Sequence, residues 1–93
     1  MTVADTIRDK IRAALAPERL TVEDESHLHA GHAGARPGGE SHFRVEVVAA
    51  AFDGQSRVAR QRMVYGVLAE EMREQIHALA LTTRTPEEDQ KTA

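Results

Sequence analysis

Phe43-Arg44-Val45-Glu46-Val47 alternates apolar with charged side chains, the period-two pattern of a strand with one buried face and one wet face. What stands on either side of it decides the fold. Downstream, Val48 to Phe52 is apolar throughout and either stays buried on both faces or leads into a loop. Asp53-Gly54 then signals a turn, and Ser56 is placed to cap a helix. From Arg57 to about Gln75, Val64, Val67, Leu68 and Met72 recur at helical spacing, with Val58 and Met63 near the same face. Gly66 lies inside this helix at a cost of ~1 kcal/mol relative to Ala, which close packing against a neighbour would explain. Ile76-His77-Ala78-Leu79-Ala80-Leu81 is a short apolar run that reads as a further strand. A strand, a long helical crossover and a second strand make a unit in which the two strands can lie parallel.

Upstream, Leu20-Thr21-Val22-Glu23-Asp24 alternates in the same way and predicts a strand antiparallel to Phe43–Val48. Residues Thr2 to Ala16 read as a helix: Ile7, Ile11, Ala14 and Leu15 share one face, and Pro17 marks the stop. At the other end, Thr85-Pro86-Glu87-Glu88 has the capping residue, the proline and the glutamate of a helix start. The order is helix, strand, strand, helix, strand, helix. One domain over residues 1–93 is expected, of α/β class, with a three-stranded sheet and helices packed on one face; residues 1–6 and 89–93 are expected to fray.

The chain has 93 residues and a thin core. Phe43, Phe52 and Tyr65 are its only aromatics, so Val, Ile, Leu, Ala and Met must fill the interior. There is no cysteine, which excludes disulfides and thiolate chemistry by this chain alone. No signal peptide and no stretch near the ~20 apolar residues of a membrane span is seen, so a cytoplasmic protein that does not engage membranes is expected. The formal net charge of −3 weighs against a global attraction to nucleic acid.

Between the first two strands, Ser26 to Ser41 holds Gly31, Gly34, Gly38, Gly39 and Pro37. It is too long for a tight hairpin turn and reads as a loop of the kind that often carries function. His27, His29 and His32 fall within six residues of it. Neutral imidazole binds zinc, copper and iron, and a solvated loop histidine is the plain alternative for each. His42 precedes the second strand and reads as a structural hydrogen-bonding residue. His77 opens the third, where alternation puts it on the face of Leu79 and Leu81; it is either a hydrogen-bonded strand-end residue or a ligand. Arg57, Arg60 and Arg62 cluster at the start of the long helix, where a helix N-terminus already favours anions. They are phosphate contacts or a solvated helix end paired with an acid such as Asp53. Asp24-Glu25-Ser26-His27 brings acid, hydroxyl and base together in sequence only, with no nucleophile elbow, oxyanion motif or phosphate-cradling loop. A stand-alone enzyme is not expected.

Taken in order, these pieces resemble the BolA family. Asp24-Glu25-Ser26-His27 with His29-Ala30-Gly31-His32, Glu40-Ser41-His42-Phe43, Phe52-Asp53-Gly54-Gln55-Ser56, Arg60-Gln61-Arg62 with Val64-Tyr65, Ile76-His77-Ala78-Leu79-Ala80-Leu81 and Thr85-Pro86-Glu87-Glu88 carry the resemblance from about Ile7 to Glu88. It implies a fold similar to class II KH domains. It also implies a heterodimer with a monothiol glutaredoxin that shares a [2Fe-2S] cluster held on the other side by the glutaredoxin cysteine and a glutathione thiol. On that resemblance His77 and His29 are the expected ligands, with His27 and His32 as further candidates, and the isolated chain is expected to hold no cluster. Members similar to DNA-binding regulators of morphology and stress response give the other reading, with Arg57, Arg60 and Arg62 on phosphate and weak DNA binding. Gln61 stands where the family commonly has histidine, and no Gly-x-x-Gly tetrapeptide lies near Gly54 as KH recognition would need; the nearest, Gly31-His32-Ala33-Gly34, is between strands. Asp89 stands where an aromatic residue is common.

Overall fold

A computed structural model of the chain describes residues 2–25 and 42–92. The predicted loop 26–41, with His27, His29 and His32, lies outside the described residues.

Helix α1 runs Val3–Leu15. Thr2 caps it reciprocally with Asp5: the Asp5 N–H donates to Thr2 Oγ1, and the Thr2 N–H donates to Asp5 Oδ2, both at 3.1 Å. The helix ends where Ala16 turns left-handed, φ 45° and ψ 56°, so the stop ahead of Pro17 is a C-cap of the type usually given to glycine. Strands β1 (Arg19–Asp24) and β2 (His42–Val48) pair antiparallel, Val22 opposite Val45. Strand β3 (Ala78–Arg84) pairs parallel to β2, and the sheet order is β1-β2-β3. The three-stranded α/β sheet and both strand senses match the expectation.

β2 is central, and its alternation divides the sheet. Phe43, Val45 and Val47 are buried under the helices, and Arg44 and Glu46 point the other way. Ile7, Ile11 and Leu15 of α1 and Val64 of the crossover helix close over them with Phe52, Leu68 and Ile76. Each such side chain contributes about 1.5–3 kcal/mol on leaving water. The Arg8 guanidinium donates to the Val22 carbonyl at 3.2 Å and ties α1 to β1.

The structure differs from the sequence reading in four places. The crossover is two helices, α2 (Arg57–Val67) and α3 (Ala69–Glu74), jointed at Leu68, whose N–H is shared between the carbonyls of Val64 and Gly66. A Cβ at Gly66 would meet nothing within 4 Å, so close packing does not account for this glycine. β3 begins two residues later than expected and ends three later, because its length follows β2, pairing from His42↔Ala78 to Val48↔Arg84. The termini are helical over the described residues: α1 begins at Val3, and α4 runs Pro86–Thr92.

Candidate functional site

The N-terminal ends of the parallel strands β2 and β3 lie side by side, and histidines stand at both. His42 opens β2 and is buried, at 6% exposure. His77 lies at an exposed bend before β3, so strand alternation does not govern it; its ring meets His42 instead, centroid to centroid at 5.1 Å with planes tilted by 57°. The Glu25 N–H donates to the His42 carbonyl at 2.8 Å, so the last described residue of the β1 side is bonded to the first of the β2 side. A cleft of about 290 Å³ opens there, with Glu25, His42, Arg44, Ala78 and Ala80 in its wall. Arg44 Nε donates to Glu25 Oε2 at 3.0 Å. That hydrogen bond and Glu25's charge raise the Arg44 pKa above its ordinary value.

The three arginines of the crossover helix separate. Ser56 caps α2, its Oγ accepting from the Ala59 N–H at 3.1 Å. Arg57 and Arg62 are exposed. Arg60 departs from the expectation of a phosphate contact: it is buried, at 8% exposure, on the same helix face as Val64. Its Nε donates to the Gln55 carbonyl at 2.9 Å, and its two terminal nitrogens donate to Glu88 at 2.6 and 3.2 Å. Its partner is therefore Glu88 of α4 rather than Asp53. Glu88 Oε1 also accepts the Thr85 N–H at 2.9 Å. The Arg60 guanidinium, then the Thr85 backbone N–H, lower the Glu88 pKa from 4.5 to about 2. Arg57, Gln61, Arg84, Glu88 and Lys91 share the wall of a second cleft, of about 380 Å³. Arg84 is paired with Glu46 at 2.7 Å, and Arg19 bridges Glu46 and Asp89.

Set against known proteins, the family model described as BolA-like protein matches residues 11–88. The chain belongs to the BolA family. It is 42% identical over 87 residues to chloroplastic BOLA1 of Arabidopsis thaliana, covering 91% of this chain and 54% of that protein; the chain thus spans about half the length of that relative. It is 44% identical over 88 residues to the DNA-binding transcriptional regulator BolA of Escherichia coli, covering 95% of this chain and 80% of that one. The solved structure of BolA1 from Arabidopsis thaliana superposes with a TM-score of 0.85 at 41% identity, covering 95% of this chain and 96% of that one.

In this BolA-family protein His77 is exposed, and its ring meets that of His42, the residue that follows the 26–41 segment. His27, His29 and His32 fall within that segment, outside the described residues. His42 is buried, as a structural residue would be, but sequence reasoning gave no sign that its ring would meet that of His77. Another residue that reasoning missed is Glu71, buried at 5% exposure, with Oε2 2.6 Å from Lys10 Nζ and Oε1 without a hydrogen-bond partner. The carboxylate's hydrogen bond to Lys10 raises the lysine pKa above its ordinary value. Among the described residues no helix is long and apolar enough to cross a membrane.

Proposed function

We propose that this BolA-family protein partners a monothiol glutaredoxin in [2Fe-2S] cluster binding, transfer or iron sensing, supplying His77 and His29 as ligands. The observation that carries the reading is where His77 stands. It is exposed, and its ring meets that of His42, the residue to which the 26–41 segment returns and whose carbonyl accepts the N–H of Glu25, the residue from which the segment departs. His29 is four residues along the chain from Glu25, so its backbone is confined to within about 14 Å of that root. A ligand from the segment and a ligand from the start of β3 can therefore serve one centre.

The donor set fits half a cluster. The chain has no cysteine, and imidazole is an accepted substitute for thiolate on one iron of a [2Fe-2S] centre. Glutaredoxin and glutathione thiols would hold the other side. The chain's own part is to present His77 as a neutral base from a backbone fixed by β3, and to bring His29 in from the adjoining segment. When bound, the cluster supplies a one-electron centre tuned by its ligands and their surroundings. Co-expression with a monothiol glutaredoxin tests the reading: a co-purifying 1:1 complex with the visible absorption and circular dichroism of a [2Fe-2S] centre is expected. Separate elution of a colourless chain would defeat it.

A second reading, a DNA-binding regulator, is favoured by the similarity to the DNA-binding transcriptional regulator BolA of Escherichia coli. Weighing against it are the net charge of −3 and the commitment of Arg60 to Glu88, which leaves Arg57 and Arg62 of the expected three.

A further inference from the structure

We propose that His42 and His77 together form a two-histidine site for a single borderline divalent cation of the zinc, cobalt or copper class, independent of any partner protein. The site needs neither a cluster nor glutaredoxin, so it stands or falls apart from the proposed function, although the two share His77.

The ring separation matches that of two ligands of one ion. Two imidazoles on one tetrahedral zinc, each nitrogen at ~2.0–2.1 Å, place their ring centroids about 5 Å apart. His42 and His77 stand at 5.1 Å. Their planes are tilted by 57° rather than stacked. The backbone fixes this arrangement. His42 lies directly opposite Ala78 in the parallel ladder of β2 and β3, so His77 is one residue outside a register seven pairs long. Burial holds the His42 ring in place, so little side-chain entropy remains to be lost there on binding.

Glu25 lines the same cleft as His42, and its carboxylate is paired there with Arg44, which is more than half exposed. Imidazole is a good ligand for this class of ion, whereas magnesium and calcium prefer oxygen donors. Among the described residues no group of three or more His, Cys, Asp or Glu converges, so the described residues offer two protein ligands, on a side that His77 leaves exposed. An open site of this kind binds with modest affinity and exchanges its ion readily, unlike a closed four-ligand structural site.

The test is titration of the full chain with zinc ion by calorimetry in a weakly coordinating buffer, with cobalt(II) as a visible-light probe. Four proteins are compared: wild type, His77→Ala, His42→Asn, and the triple variant His27→Gln/His29→Gln/His32→Gln. One zinc per chain is expected in the wild type and in the triple variant. His77→Ala, a change at an exposed bend that leaves the core untouched, should weaken binding by about tenfold or more. Should His42→Asn fail to fold, the ring carbon–proton resonances of His42 and His77 in the wild type give the same answer, since both must shift on adding zinc. Zinc binding that survives His77→Ala and is lost in the triple variant would overturn the proposal, as would the absence of binding at millimolar zinc or zinc-induced shifts confined to other histidines.

Discussion

Arg60→Ala removes a guanidinium that the fold uses internally, and its cost can be worked from the contacts. The Glu88 side chain is about half exposed, so its carboxylate is rehydrated when Arg60 goes, and the solvent-screened pair itself adds only a few tenths of a kcal/mol. Two contributions remain. The charge-assisted hydrogen bond from Nε to the Gln55 carbonyl, 2.9 Å long, is worth about 1.5 kcal/mol. The two buried stem methylenes beyond Cβ add about 0.8 kcal/mol each. The sum is about 3 kcal/mol. For a domain of this size that lowers Tm by roughly 12–24 °C. Arg60→Met keeps most of the stem and should lose about half as much. Urea unfolding followed by far-ultraviolet circular dichroism at pH 7 gives both numbers, with the slope unchanged if unfolding remains two-state. A loss below about 0.5 kcal/mol for Arg60→Ala, the scale of an ordinary surface substitution, would refute the internal role, most plainly if DNA affinity fell at the same time.

Other consequences follow from the same contacts. Glu88, with its pKa lowered from 4.5 to about 2 by Arg60 and the Thr85 N–H, contributes stability that is present above pH ~4.5 and is lost as pH falls toward ~2. The stability gap between wild type and Glu88→Gln should therefore close over that interval in acid titrations; a gap that widens would contradict the pairing. Gly66→Ala fills open space and should raise stability by about 1 kcal/mol, read as a Tm several degrees higher; a lower Tm would mean the glycine is required. DNA affinity should be weak near physiological salt and fall steeply as salt rises, which fluorescence anisotropy measures. Sub-micromolar, sequence-selective binding at that salt would favour the regulator reading.

The architecture was legible because β2 states it locally: Phe43, Val45 and Val47 inward, Arg44 and Glu46 outward. Caps were equally local, as at Ser56 and at Thr85 with Glu88. What sequence could not place was set by partners distant along the chain. Ile76-His77-Ala78-Leu79-Ala80-Leu81 is apolar nearly throughout and carries no register, so only pairing with β2 decides that β3 starts at Ala78 and runs on through Thr82, Thr83 and Arg84. The joint at Leu68 was hidden because apolar spacing continues across it from Val64 to Met72. Arg60 was readable in principle: it lies four residues before Val64, on the apolar face of its helix, which is a poor place for a phosphate contact. The His42–His77 contact depends on the strand ladder and has no local signal.

The central claim, that His77 and His29 complete a shared [2Fe-2S] centre, is tested most directly by comparing His77→Ala and His29→Ala in the co-purified glutaredoxin complex. Visible absorption, circular dichroism and cluster lifetime are recorded for each. Both variants should alter the spectrum and shorten the lifetime, His77→Ala more than His29→Ala, because β3 fixes the backbone beside His77, while His29 is four residues from its Glu25 root. Wild-type spectra and lifetimes in both variants would contradict the claim and leave the chain an adaptor whose histidines bind no cluster.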